Sequence, residues 1–282
     1  MIIFGFFKKQ VKKIIDSNFI FRNIRLPIRH KRINIFYWRP NNIFQDNVGD
    51  YLSKVLIYYL IDYYGIEKNK KVKETKFLMG IGSGLHYAKN NYVIWGSGLK
   101  EKRFIEMIKD KRLDIRCLRG PKTLELIKEL GYDTRQIFLG DPAILLPNIY
   151  HPPNVTKKNK FGIIPYFRKE KEYIKKYSNV ITPLTKNWKY FINEILKCEF
   201  VISASLHGII LSEAYGIPAI MLNDNSEESI FKFEDYYLST GRENYKIANT
   251  VEEAIHMGPE KLPELKKMQE NLLRSFPYDL WL

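Results

Sequence analysis

A single imidazole, His207, stands where a strand gives way to a helix. Phe200 to Ile202 form a short apolar run of the kind a buried parallel strand carries, and Ile209, Ile210, Ala214 and Tyr215 recur at helical spacing before Gly216 and Pro218 stop the helix. In open α/β sheets the crevice at the carboxyl ends of the strands is where ligands bind, and the unpaired N–H groups of a helix start favour an anion. A histidine among those donors can pass a proton to something negatively charged; the plainer alternative is that His207 caps the helix or packs in the turn.

Other strand-end loops carry polar tips. Asn47-Val-Gly-Asp50 precedes a helix, with Asp50 able to cap its start or orient a hydroxyl. Trp95-Gly-Ser-Gly98 closes a strand with small residues that allow close backbone approach. Leu118-Arg-Gly-Pro-Lys122-Thr123 sets the Arg119 guanidinium beside a helix start, suited to a carboxylate or phosphate. Gly140-Asp-Pro-Ala143 adds the carboxylate of Asp141. Taken singly, Asp50 and Asp141 read equally well as caps or turn formers, and Arg119 as a surface ion pair.

Familiar cofactor signatures fail. Gly80-Ile-Gly-Ser-Gly84 lacks the third glycine of a dinucleotide fingerprint, and no Gly-Lys-Ser/Thr follows to make a P-loop. Neither Asp-x-Asp nor a histidine pair at metal spacing occurs, which disfavours a metal-dependent sugar-nucleotide transferase, and a Gly-x-Ser-x-Gly nucleophile elbow is missing. Cys117 and Cys198 are far apart within apolar stretches, so neither a disulfide framework nor a metal site is expected, and the reducing cytosol fits.

The elements that must position these residues alternate. Strands are expected at Ile33 to Trp38, Phe77 to Ile81, Tyr92 to Trp95, Ile115 to Arg119 and Ile137 to Leu139, with helices at Gly49 to Tyr64 and Pro121 to Leu130. A second series follows: strand Phe161 to Pro165, helix Lys169 to Tyr177, strand Asn179 to Thr182, helix Trp188 to Lys197, the His207 unit, and closing helices at Glu252 to Met257 and Pro263 to Ser275. The βαβ order predicts mostly parallel sheets. The polar, proline-bearing stretch from Ile149 to Lys160 reads as a link. The division is therefore a basic amphipathic leader over 1–32, Rossmann-like domains over 33–150 and 151–258, and a closing helix over 259–282.

Together, and in this order, Asn47-Val-Gly-Asp50, Trp95-Gly-Ser-Gly98, Leu118 to Thr123, Leu139-Gly-Asp-Pro-Ala143, Phe161-Gly-Ile-Ile-Pro165, Ser203-Ala-Ser-Leu-His-Gly208 and Phe231 to Arg242 resemble the polysaccharide pyruvyl transferase family. The resemblance spans roughly Ile33 to Arg242, and an ordered set is far more specific than any one motif. It implies an α/β fold of two Rossmann-like domains facing across a cleft, GT-B-like. It also implies an activity without a cofactor: transfer of the carboxyethylidene group of phosphoenolpyruvate, the co-substrate, to two hydroxyls of a sugar, giving a pyruvate ketal and phosphate.

Under that resemblance His207 is the acid that protonates the methylene carbon, the substrate's own charge offsetting the helix dipole. Asp50 or Asp141 takes a hydroxyl proton. Arg119, Lys122, Ser203, Ser205 and Gly208 hold the donor, and Asn47, Gly49, Ser97 and Gly98 face the acceptor. Two positions depart from the family pattern. Ser205 stands where relatives can carry arginine, so a second cation has to come from elsewhere, with Lys122 and Arg168 as candidates, or be absent. Tyr166 stands where relatives can show histidine.

The 282 residues carry 46 Lys and Arg against 31 Asp and Glu, a formal +15, which favours anionic partners. Nucleic acid is disfavoured, because neither a zinc-finger spacing nor an RNP-like aromatic strand is present. The opening apolar run ends at Phe7, far short of the roughly 20 residues that span a bilayer, and no signal-peptide cleavage site follows. Phe6, Phe7, Val11, Ile14 and Ile15 beside Lys8, Lys9, Lys12 and Lys13 could lie on an anionic inner leaflet or pack on the protein itself. The expectation is a cytoplasmic enzyme, peripheral on the inner membrane face if its acceptor is a lipid-linked oligosaccharide. The rival readings are a metal-independent GT-B-like glycosyltransferase using a sugar nucleotide, and a noncatalytic saccharide-binding protein.

Overall fold

The computed structural model describes residues 31–40, 45–67, 70–153, 155–225 and 228–282. Apart from Lys31 and Arg32, the expected leader lies outside the described residues.

Among the described residues, nine strands form two all-parallel sheets. The first is β1 (Ile33–Phe36), β2 (Lys76–Met79), β3 (Tyr92–Trp95), β4 (Asp114–Leu118) and β5 (Phe138–Leu139), side by side in chain order. The second is β6 (Asn159–Ile164), β7 (Cys198–Ser203), β8 (Ala219–Leu222) and β9 (Ile247–Ala248), again in chain order. Every residue of β3 is buried, as expected of a parallel strand covered on both faces. Helices flank both sheets in the two-Rossmann-domain, GT-B-like arrangement.

Two helices weld the lobes. α1 (Val48–Tyr63) returns from β1, capped by Asn47, whose side chain accepts from the Gly49 N–H. Its Leu52, Leu56 and Ile57 share one apolar cluster with Ile144 to Leu146, and with Ile209 to Leu211 of the helix that follows β7. At about 1.5–3 kcal/mol for each buried large aliphatic side chain, this shared core disfavours free rotation of one lobe on the other. Val48 also donates to the Pro183 carbonyl at 2.8 Å, so the start of α1 is pinned to the second lobe.

The other α-helices of the described residues are α2 (Pro121–Glu129), α3 (Glu170–Lys176), α4 (Trp188–Leu196), α5 (Leu206–Ala214), α6 (Ile230–Ser239), α7 (Val251–Met257) and α8 (Lys266–Arg274). α8 packs back on the first lobe, where the Trp95 indole donates to the Leu272 carbonyl at 3.1 Å. The strand expected over Asn179 to Thr182 reduces to one bridge, Val180 to Ile163. Pro183 lacks an N–H, and the chain there turns to the other lobe. α6 is a helix that the expected elements do not include. It packs against α2, carrying a second-lobe segment onto the first.

Candidate functional site

The carboxyl ends of the strands of both sheets surround a cavity of about 260 Å³. From the first lobe it is lined by Trp38, Asn47, Asp50, Ser83, Gly84, His86, Tyr87, Lys100 and Phe104; from the second by Tyr166, Phe167, Arg168, Ser205, Leu206, His207, Glu228 and Lys232. Of the residues expected to act, Asn47, Asp50, Ser205 and His207 reach this lining, as does Arg168, one of the two candidates for the second cation.

His207 occupies the first turn of α5, whose N-cap Ser205 makes no side-chain cap. The first-turn amides are thus left for an anion. The imidazole is wedged against the backbone of α1, because a Cβ placed on Gly49 would come within 2.0 Å of Nδ1. Its Nε2 lies 3.7 Å from Asp141 Oδ2. Asp141 is fully buried, and its Oδ1 accepts from the Ala143 N–H at 3.0 Å. One carboxylate oxygen therefore fixes the side chain and the other faces the imidazole.

Asp50 rests on the Gly82 turn, where a Cβ would meet Oδ1 at 2.5 Å and where φ is +119°. Burial pushes its carboxyl up to about 6, with Asp141 and Asp46 adding to the rise and His207 and Lys232 opposing it. Across the lining, Lys232 pairs with Glu228, yet burial and the like charges of Lys100 and Arg119 push its ammonium down to about 7. His86 stacks on Phe104 at 4.5 Å, and burial, aided by Lys100, lowers it to about 4, so it is neutral at physiological pH.

The structure places the other expected residues behind or beside this surface. Arg119 is wholly buried; it donates to Asp235 Oδ2 from Nε (3.1 Å), to the Ser83 hydroxyl (2.7 Å) and to the Leu99 carbonyl (2.7 Å). It does not line the cavity, but it fixes Ser83, which does. Gly98 makes room for that guanidinium, since a Cβ there would stand 2.6 Å from Cζ. Ser97 donates to the Gly82 carbonyl at 3.0 Å and so shapes the turn under Asp50. Lys122 pairs with Glu234 and lies under Phe231, away from the lining. Ser203 closes the turn before α5, its Oγ accepting from Ser205 N and donating to Ser205 O, and Gly208 packs against that hydroxyl.

Residues 12–226, well over half of the sequence, match the polysaccharide pyruvyl transferase family. The chain belongs to this family. It is a transferase of the pyruvyl-transferase type. The chain is similar to an uncharacterized protein of Acanthamoeba polyphaga mimivirus, 27% identical over 78% of this chain and 79% of that one. It is also similar to the succinoglycan biosynthesis protein ExoV of Rhizobium meliloti, 24% identical over 73% of this chain and 64% of ExoV. A crystal structure of a Klebsiella pneumoniae protein superimposes with a TM-score of 0.50 at 15% identity, covering 86% of this chain and 98% of that one, a likeness of fold.

Within this pyruvyl transferase, Lys100, His86, Trp38, Phe104, Phe167, Glu228 and Lys232 are lining residues that sequence reasoning did not single out. Lys232 had a signal, since it lies in the Phe231 to Arg242 stretch, but its reach across the lobes depends on α6 packing against α2. Among the described residues no group of three or more His, Cys, Asp or Glu is placed to hold a metal ion, and no helix is long and apolar enough to cross a membrane.

Proposed function

We propose that the chain transfers the carboxyethylidene group of phosphoenolpyruvate to two hydroxyls of a sugar during surface-polysaccharide assembly. The observation that carries this reading is one cavity lined by the cations Lys100 and Lys232, an uncapped helix start, His207 and Asp50, with Asp141 buried behind the imidazole. Membership of the family supports it, and similarity to a succinoglycan biosynthesis protein supports the polysaccharide setting.

The donor's carboxylate and phosphate are anions that Lys100, Lys232, Arg168 and the helix-start amides can hold in place of the arginine that relatives can carry at the Ser205 position. His207 protonates the methylene carbon, so that C2 becomes electrophilic, with Asp141 supplying the counter-charge to the imidazolium. A sugar hydroxyl adds to C2 and its proton passes to Asp50 or back to His207. The second hydroxyl displaces phosphate, its proton leaving with that group, and the cyclic ketal closes. Arg119 acts one layer back, holding Ser83 against the donor.

We also propose that the enzyme works in the cytoplasm at the inner membrane face, its basic leader meeting anionic lipid near a lipid-linked acceptor. The deciding experiment incubates the purified chain with phosphoenolpyruvate and saccharide acceptors. Phosphate release coupled to a carboxyethylidene mass gain on the acceptor is expected. Release of nucleotide from sugar nucleotides, with phosphoenolpyruvate untouched, would overturn the reading.

A further inference from the structure

Trp38 and Phe167 follow β1 and β6, the first strand of each sheet, and their rings meet across the lobes with centroids 5.8 Å apart and planes at 58°. Both line the cavity, and both keep part of their surface open to it. The Trp38 indole is held by a hydrogen bond to the Tyr87 hydroxyl. Phe167 is held by the edge of Tyr166 at 4.7 Å and by the Arg168 guanidinium, 5.7 Å from its ring centre. Among the described residues, Trp38 belongs to none of the three apolar core clusters. A large ring fixed in orientation, left out of the core and turned to a cavity is placed for a ligand.

Phosphoenolpyruvate is small and doubly anionic, and needs the lysines rather than two aromatic faces. A pyranose has the complementary shape, with an apolar C–H face and a rim of hydroxyls. We infer that Trp38 and Phe167 form the acceptor seat, a two-ring platform drawn from both lobes that stacks one pyranose while Asp50, in the same lining, takes up a rim proton. This rests on the pyruvyl-transfer reading for the identity of the second substrate. Of the residues assigned to the acceptor from sequence, Asn47 alone joins this lining.

The test titrates the full chain calorimetrically with methyl pyranosides of galactose, glucose and mannose, with no phosphoenolpyruvate present. At least one pyranoside is expected to bind. Trp38→Ala and Phe167→Ala should each weaken that binding by about tenfold or more, Trp38→Phe should largely restore it, and the thermal shift caused by phosphoenolpyruvate should stay unchanged. Three results overturn the inference: no pyranoside binding by the wild-type chain, alanine variants that bind as well as wild type, or loss of the phosphoenolpyruvate shift together with saccharide binding. Binding of uridine diphosphate to the rings in place of any pyranoside overturns it too. Saccharide binding without phosphate release would leave the platform standing and sink the donor chemistry, so the two failures are distinguishable.

Discussion

Asp141 Oδ2 faces His207 Nε2 at 3.7 Å, and neither atom has a hydrogen-bond partner among the described residues. Unpaired buried polar atoms are costly, and a pair of them aimed at each other beside a cavity is a place where a small approach makes a charge-assisted hydrogen bond. Asp141→Asn keeps an oxygen for the Ala143 N–H but removes the charge facing the imidazole. Turnover should fall by about 10²- to 10⁴-fold, as for His207→Ala, with little loss of stability. Steady-state phosphate release and thermal melting check both halves, and a charge-neutral variant with normal turnover would remove Asp141 from the mechanism.

Gly49 is where sequence and geometry meet most tightly. Any Cβ there collides with the imidazole ring, so Gly49→Ala should displace His207 and cut turnover by about tenfold or more, at a stability cost of about 1–3 kcal/mol. Denaturant unfolding measured beside kcat separates the two effects. Intact turnover would show that the imidazole's position is not what matters.

The raised carboxyl of Asp50 sets a pH dependence. Its folded value of about 6 lies above the ordinary 3.8, so the folded state holds that proton more tightly than the unfolded chain. The associated stability is present at pH below about 3.8 and is lost as pH rises through about 6. Asp50→Asn is therefore expected to melt higher than wild type at about pH 8, by a few degrees, with the gap closing at about pH 4. If Asp50 accepts the hydroxyl proton, wild-type kcat/KM falls below about pH 6 and the variant loses that limb. A variant that keeps the limb assigns it to another group.

The fully buried Arg119–Asp235 pair joins the end of β4 to α6, with Asp235 also accepting from the Thr123 N–H and hydroxyl. Removing one partner strands a buried charge, so Arg119→Met or Asp235→Leu alone should destabilise by about 3–5 kcal/mol, and the double variant by less than the sum. Chemical unfolding of the cycle measures the coupling. Single variants that unfold like wild type would mean the pair is not buried in solution.

Lys232 carries a buried charge in the cavity wall. Lys232→Met should raise the KM for phosphoenolpyruvate by about tenfold or more and lower the melting temperature by stranding Glu228, whereas Lys232→Met combined with Glu228→Gln, which removes both desolvated charges, should recover the melting temperature but not the KM. An unchanged KM would leave the donor to Lys100 and the helix start.

Much is legible in the chain alone. Apolar runs such as Tyr92 to Trp95, helix signals such as Pro121 with Gly131, and the strand-to-helix change at His207 are local patterns, and local patterns fix which backbone groups pair. The ordered motifs carried the family and the fold. The sequence signal for α6 is weaker: Phe233, Tyr236 and Tyr237 recur at helical spacing and are buried, but Lys232 and Asp235 are buried with them, so the polar and apolar faces do not separate.

What the sequence by itself determined, then, was most of the strands and helices, α6 and β9 excepted, and the strand-end loops that hold His207, Asp50 and Asp141. Only the tertiary structure decided which polar side chains face the cavity. Arg119 reads as a ligand for the donor, and folding engages all its donor nitrogens in the wall; Lys100, Trp38 and Phe167 give no local sign, Lys232 only its place in the Phe231 to Arg242 stretch, and all four arrive there from both lobes. The reason is physical. Periodicity records whether a residue meets water or core along its own element, whereas a guanidinium's partner 116 residues away, or an aromatic pair split between two sheets, is set by how the elements pack.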